Sequence, residues 1–156
     1  MRVFGVLAAI LFAAVAMVAA PMNEAVAQAD KGVEPLQIIS GDKTHKISVE
    51  VMRNDEERAR GLMFRRFMPA DRGMLFDFKV EKPVMMWMKN TYIPLDMIFV
   101  ARDGRIVSIA ENTEPLSERT IPSGAPAYAV LEVNAGTAAR LGIKAGDRME
   151  HPIFKR

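Results

Sequence analysis

The stretch that decides the fold is Leu95–Ala110, whose sequence is LDMIFVARDGRIVSIA. Its first part, Leu95–Val100, is apolar except for Asp96, which is typical of a strand covered on both faces. The Asp-Gly pair in the middle is the strongest short-range signal for a hairpin turn, because the tight turn needs residues that tolerate positive φ. We therefore predict a β-hairpin in which Leu95–Val100 is a central strand and Ile106–Ala110 returns beside it.

Further strands are predicted on both sides of this hairpin, from alternating or continuous apolar patterns. They are Leu36–Ile39, Lys43–Val51, Met74–Phe78, Val84–Met88, Ala127–Val133 and Arg148–Phe154. Val84–Met88 is apolar at every position, so we predict a second central strand there. Residues 114–126 contain three prolines and are predicted to form an ordered surface loop.

Two short helices complete the prediction. Asn54 and Glu57 have the spacing of a capping box, which places a helix from Asp55 to about Met63. A second helix is predicted over Asn134–Leu141, with Gly142 as its left-handed C-cap. Many short strands with two short helices predict a mainly β fold, either a β-sandwich or a β-barrel.

Composition bounds the class of protein. A chain of 156 residues has room for one domain. It contains no cysteine, which excludes disulfides, thiolate zinc sites, iron–sulfur clusters and a cysteine nucleophile. Twenty-one Lys and Arg against nineteen Asp and Glu leave a net charge of +2, too balanced for an evident nucleic-acid partner.

The N-terminus has the pattern of a secretory signal. The apolar run Val3–Val18 follows Arg2, and Ala25-Val26-Ala27 supplies the small residues of a cleavage site. We predict a cleaved signal peptide over residues 1–27, a flexible leader over 28–35 and a single β-rich domain over 36–156. The mature protein is then periplasmic or secreted, with no membrane span. The alternative is a signal that stays uncleaved as an anchor.

Five segments resemble one protein family, catalogued as domain-of-unknown-function family 192. They are Arg60–Met63, Gly73–Phe76, Trp87–Thr91, Ile93–Asp96 and Leu131–Gly136. The resemblance spans about Gln37 to Pro152 and is most specific from Trp87 to Asp96. It implies a compact, mostly β domain that is often exported, with a sandwich or jelly-roll-like architecture. It implies no particular activity, substrate or cofactor.

Several polar residues at or near strand ends could form a site. The candidate ligand-binding residues are Arg60, Lys89, Asn90, Asp96, Thr113 and Glu132. Asp96 and Glu132 lie among apolar neighbours, and a buried carboxyl group must be paired or have a raised pKa. We expect Arg60 and Lys89 to supply that pairing at one end of the sheet. The alternative is an ion-pair network with a purely structural role.

Eight of the twelve methionines lie between Met52 and Met97, and three of them flank Trp87. Thioethers bind Cu(I), so a copper site made of Met and Trp is one interpretation. Met85 and Trp87 would point to one strand face and Met86 and Met88 to the other, which divides the ligands. We therefore favour core packing, with Met74, Phe76, Trp87 and Met88 in the structural core. We predict no metal and no cofactor.

Two classes of function follow from these candidates. The first is a binding module for a polar or anionic small ligand or a partner protein, active as a monomer. The second is a hydrolase or lyase in which Asp96 and Glu132 act as an acid/base pair and Arg60 stabilises charge. An acid/base pair must share one pocket. We favour binding, because no histidine or cysteine is placed for catalysis.

Overall fold

The computed structural model describes residues Gly32–Phe154, which form a seven-stranded sheet and two short helices. In chain order the elements are β1 (Val33–Ser40), β2 (Lys43–Met52), α1 (Asp55–Arg60), β3 (Arg72–Met86), β4 (Leu95–Val100), β5 (Ile106–Thr113), β6 (Ile121–Asn134), α2 (Thr137–Leu141) and β7 (Arg148–Glu150). The strand order is β5-β4-β6-β3-β2-β1-β7. Neighbouring strands are antiparallel except β2 and β3, which are parallel.

The sheet curls until the start of the edge strand β5 meets the other edge strand, β7. Arg105, just before β5, pairs with Arg148 of β7. The N–H of Met149 donates to the carbonyl of Gly104 at 2.7 Å. Gly104 has a φ of +86°, and a Cβ there would lie 2.3 Å from the Met149 carbonyl oxygen, so only glycine fits this contact. The mainly β prediction is confirmed, and the sheet is a half-barrel.

Each face of the sheet covers its own hydrophobic core. The first core contains Ile98 and Val100 of β4 together with Ala138 of α2. The second contains Met97 and Phe99 from the alternate positions of the same strand. All six residues of β4 are buried, which confirms that this strand is central and covered on both faces.

Several strands extend further than predicted. β1 begins at Val33, within the predicted leader, and residues 28–31 lie outside the described residues. β3 joins two predicted strands into one of 15 residues, with a register shift between Asp77 and Lys82. β6 begins at Ile121, so part of the predicted proline loop is a strand that pairs with the distal half of β3. The prolines are tolerated because pairing there is irregular.

The placement of Trp87 in the core is wrong. Met74, Phe76 and Met88 are buried as predicted, but Trp87 is 50% exposed and Met85 is 63% exposed. The distal half of β3 has only one face against the second core, and the strand ends at Met86. A continuous apolar run therefore does not indicate burial on both faces here.

Both predicted helices are present and shorter than expected. The capping box is confirmed: Asn54 Oδ1 accepts from the N–H of Glu57 at 2.9 Å, and α1 ends at Arg60. Gly142 is the left-handed cap of α2, with φ of +72°. Within Gly32–Phe154 no helix is long and apolar enough to cross a membrane. The predicted signal peptide, residues 1–27, lies outside the described residues.

Candidate functional site

The candidate site is built around Glu132, a carboxyl group inside the second core. Glu132 lies on β6 directly opposite Met74 of β3 and Met97 of β4. Directly paired residues of neighbouring strands place their side chains on the same face of the sheet. Both methionines are buried in the second core, and Glu132 itself is only 4% exposed. The carboxyl is therefore surrounded mainly by apolar side chains.

The carboxyl of Glu132 has no compensating partner in the described part of the chain. None of residues 32–154 donates a hydrogen bond to it or forms an ion pair with it. Burial raises the pKa of Glu132 to about 8, because the charged form is poorly solvated there. At neutral pH the group is therefore mainly a neutral acid, which has one O–H to donate.

Glu132 faces a small cavity between β6 and the loop that follows α1. The cavity holds about 30 Å³, and its walls include Arg60, Met63, Met86 and Trp87. One water needs roughly 10–15 Å³ of such space. The cavity therefore has room for a group with about two polar atoms, such as a carboxylate, and is too small to enclose a larger molecule.

The loop wall of this cavity is held close to the sheet at Gly61. This residue ends α1 with a φ of +46°, and a Cβ there would lie 3.0 Å from the Phe76 ring. A larger residue would be strained in its backbone and would push the loop outward. The capping box at Asn54 fixes the other end of α1. Together these features position the arginines of α1 at the cavity.

The two arginines at the cavity differ in their partners. Arg58 donates to the carbonyl of Asp77 at 2.7 Å and pairs with Asp55, so its guanidinium is already engaged. Arg60 is exposed, and none of residues 32–154 forms an ion pair, a hydrogen bond or a ring contact with its guanidinium. Arg60 is therefore a cation available to a ligand.

Trp87 forms the side wall of the cavity and extends to solvent. Lys89 Nζ lies 5.6 Å from the centre of its ring, a cation–π distance, and 3.8 Å from Glu118 Oε2. Lys89 thus lies beside the cavity, in contact with one of its walls. Trp87 was not predicted as a site residue, because the apolar run around it indicated a position in the core. Its position just before Lys89 and Asn90, at a strand end, was the available signal.

Asp96 does not belong to this site. Its carboxylate accepts three backbone hydrogen bonds, from the N–H groups of Asn112 at 2.9 Å, Gly136 at 3.2 Å and Ala138 at 2.9 Å. The expected partners, Arg60 and Lys89, form no ion pair with it. Two of the three N–H donors, Gly136 and Ala138, lie at the start of α2, where N–H groups have no partner within the helix, and the third, Asn112, lies in β5. The expectation of a charge pair at Asp96 is wrong.

The two buried carboxyl groups lie on opposite faces of the sheet. Asp96 is opposite Val133, a residue of the first core, whereas Glu132 is opposite Met97 in the second. An acid/base pair acting on one substrate needs both groups in the same pocket. This geometry excludes Asp96 and Glu132 as such a pair.

Asn90 and Thr113 have structural contacts. Asn90 adopts a φ of +53°, and its carbonyl accepts from the N–H of Phe64 at 2.9 Å, which fixes the loop after α1. The Thr113 hydroxyl is buried and donates to the carbonyl of Leu95 at 2.9 Å. Of the six predicted site residues, Arg60 and Glu132 therefore line the cavity and Lys89 lies beside it.

The methionine cluster does not form a common ligand set. Met85 points to solvent, and Met88 is buried with its sulfur 3.2 Å from the Thr113 hydroxyl. Met86 and Trp87 remain at the cavity together with Met63. Within the described residues no group of three or more His, Cys, Asp or Glu is placed to hold a metal ion.

Two solved structures are similar to this chain. One is a protein from Sinorhizobium meliloti 1021, described as a candidate transcription regulator. It is 51% identical, with a TM-score of 0.76, over 78% of this chain and 95% of that one. The other is a protein of unknown function from Novosphingobium aromaticivorans DSM 12444, with 42% identity and a TM-score of 0.74, over 76% of this chain and 85% of that one. The chain matches none of the curated proteins with which it was compared.

The family model for uncharacterized ACR proteins, domain of unknown function 192, matches residues 36–151. That range includes every strand except the first residues of β1 and all the cavity residues named above. Four of the segments that carry the resemblance contribute walls of the cavity: Arg60–Met63, Gly73–Phe76, Trp87–Thr91 and Leu131–Gly136. The fold, the two solved structures and the family model agree, and the chain belongs to domain-of-unknown-function family 192.

Proposed function

We propose that this protein is a binding module that holds the anionic or polar head of a small ligand in the cavity between Arg60 and Glu132. The observation that supports this most is the Glu132 carboxyl, which lies in apolar surroundings, has no hydrogen-bond partner among residues 32–154 and opens onto the cavity. A bound ligand that accepts its proton would supply the missing hydrogen bond.

The charge of the site favours an anion. A carboxylic acid kept neutral by an apolar site is an effective hydrogen-bond donor to an oxygen atom. Arg60 lines the same cavity, and its unpaired guanidinium has a planar set of donors suited to a carboxylate or phosphate. Arg58 lies at the same wall, but it is paired with Asp55, so Arg60 is the cation that a ligand can use.

The same charges count against the copper interpretation. Met63, Met86 and Trp87 could offer two thioethers and a ring to a soft cation. The unpaired charge of Arg60 at the wall would repel that cation, and at neutral pH Glu132 carries no compensating charge. A ligand with negative charge matches the site better than a metal ion does.

The sequence supports a location outside the cytoplasm for this module. The apolar run Val3–Val18 and the small residues Ala25 and Ala27 have the features of a cleaved secretory signal. The ligand would then be a molecule of the periplasm or of the surroundings of the cell.

The proposal is tested by titrating the protein with acetate, a minimal carboxylate. Trp87 is the one tryptophan of the chain and lines the cavity, so its fluorescence reports on this site alone. We expect a saturable change at pH 6.5, and we expect Arg60→Ala to abolish it. Arg140→Ala is the matched control, because Arg140 is an exposed arginine on α2, over the other core.

Two results would overturn the proposal. The first is a flat titration of the unaltered protein with acetate, phosphate and sulfate alike. The second is an equal response of the Arg60→Ala and Arg140→Ala variants, which would show that the fluorescence change reflects ionic strength rather than binding at the cavity.

A further inference from the structure

We infer that the ligand is a carboxylate carried on a ring, with the carboxylate in the cavity and the ring against Trp87. This inference rests on the binding role proposed above and specifies the class of ligand. It follows from the size of the cavity, the exposure of Trp87 and the number of free donors at the site.

The size of the cavity limits what can enter. About 30 Å³ accommodates a carboxylate and excludes a six-membered ring. The rest of any organic acid bound there must therefore lie outside, at the mouth of the cavity. The surface at the mouth then determines which organic acids are bound more tightly.

That surface is aromatic. Trp87 lines the cavity and is half exposed, so the same ring that borders the carboxylate site continues onto the molecular surface. Large aromatic side chains bind other rings through stacked or edge-to-face contacts. Lys89, 5.6 Å from the ring centre, holds the indole in place through a cation–π contact. A ring attached to the bound carboxylate would pack on Trp87.

The donors at the cavity match one carboxylate. The neutral Glu132 acid supplies one O–H, and Arg60, which lines the same cavity, carries a guanidinium whose N–H groups can donate to a carboxylate bound there. One oxygen of the ligand can accept from each residue. A neutral sugar or alcohol of the same size would leave the Arg60 charge without a counterion, so it should bind much more weakly.

The ring can come from an aromatic acid or from a sugar acid, since both combine a carboxylate with a face that packs on indole. The experiment is isothermal titration calorimetry of the purified protein with benzoate, glucuronate, acetate and glucose at pH 6.5. We expect benzoate, glucuronate or both to bind roughly tenfold more tightly than acetate, the size of effect that one ring contact gives. Glucose should not bind.

The variant that isolates the ring contact is Trp87→Ala. It should remove the preference for the cyclic acid, so that the variant binds the cyclic acid and acetate with similar affinity. Trp87→Phe should restore part of the preference. Met85→Ala is the matched control, because Met85 is an exposed apolar residue two positions before Trp87 that does not line the cavity.

The outcomes separate this inference from the binding role itself. Equal affinity for acetate and the cyclic acids, or a preference that survives Trp87→Ala, would overturn the ring-bearing class and leave anion binding intact. Glucose binding as tightly as glucuronate would overturn it as well. Failure of all three carboxylates to bind would overturn this inference, and it would overturn the binding role as well if phosphate and sulfate also fail to bind.

Discussion

Asp96 and Glu132 lie one register position apart on the neighbouring strands β4 and β6, yet their carboxyl groups lie on opposite faces of the sheet. One is satisfied by three backbone N–H groups, and the other has no partner among residues 32–154. Two buried acids so close along the sheet therefore have different roles. Asp96 holds α2 and the end of β5 in place, and Glu132 is available to a ligand.

Stability should decrease with rising pH because of Glu132. Burial raises the pKa of its carboxyl from an ordinary 4.5 to about 8 in the folded protein, so the folded state binds this proton more tightly than the unfolded chain does. Its stabilising contribution is complete below about pH 4 and is lost as pH rises through about 8. Urea unfolding between pH 7 and 9 should show a falling free energy of unfolding.

Glu132→Gln is the matched variant for that measurement, because it keeps the shape of the side chain and cannot ionise. It should remove most of the slope. The pKa of His151 is lowered by burial, and its contribution no longer changes above pH 7. An unchanged slope in Glu132→Gln would contradict the assignment to this carboxyl.

The affinity for an anion should depend on the same proton, that of the Glu132 carboxyl. Above pH 8 the Glu132 carboxylate repels the ligand and no longer donates, so the affinity for acetate should fall between pH 7 and 9. Glu132→Gln retains an N–H donor and should bind with little dependence on pH over that range. Calorimetry of both proteins at pH 6.5, 8 and 9 checks this. A parallel loss of affinity in Glu132→Gln would show that another group titrates.

Replacement of Asp96 should destabilise the protein. Asp96→Ala leaves the N–H groups of Asn112, Gly136 and Ala138 without their acceptor, and a buried unsatisfied donor costs about 1–3 kcal/mol. We expect a loss of at least about 3 kcal/mol in urea unfolding. Asp42→Ala, at an exposed turn, is the control and should change stability by less than about 0.5 kcal/mol.

A loss smaller than about 1 kcal/mol would mean that water replaces the carboxylate at these N–H groups. The milder variant Asp96→Asn should remain folded and bind acetate normally, because Asp96 lies on the face opposite the cavity. Weakened binding in that variant would contradict the division of roles between the two acids.

Trp87→Ala should cost little stability. The ring is half exposed, so we expect a change below about 1 kcal/mol, measured by circular dichroism during urea unfolding. Phe76→Ala is the matched comparison, because Phe76 is a buried aromatic residue of β3, the strand that precedes Trp87, and its loss should cost about 3–5 kcal/mol. Similar losses in both variants would place Trp87 in the core after all.

The mature protein should begin at Gln28. Cleavage after Ala27 follows from the small residues Ala25 and Ala27 behind the apolar run. N-terminal sequencing of the protein from a periplasmic or culture fraction checks this. An intact Met1 in a membrane fraction would instead support the uncleaved anchor.

Local patterns accounted for much of the fold. The Asp-Gly turn, the apolar Leu95–Val100 and the Asn54 capping box each depend on residues close in sequence, and all three are present. The partners of Asp96 could not be predicted in this way. Gly136 and Ala138 lie 40 and 42 residues away from Asp96. They bind the carboxylate through backbone N–H groups, so the identity of their side chains does not indicate this contact.

The site could likewise be predicted only in part, because local patterns do not show which distant residues come together. Glu132 among apolar neighbours indicated either a partner or a raised pKa, and the structure has the raised pKa. Arg60 reaches the cavity because α1 packs beside it, which its sequence position alone did not determine. Trp87 was wrongly predicted to be in the core, because a strand packed on one face and a strand covered on both faces can have the same apolar run.

The meeting of the two edge strands has a consequence for the behaviour of the protein in concentrated solution. A free strand edge offers unpaired N–H and C=O groups on which a second molecule can add a strand and begin aggregation. At the ends of β5 and β7 these groups bond within the chain, between Met149 and Gly104 and between Ile106 and Asp147. This part of the sheet is thereby protected against edge-to-edge association.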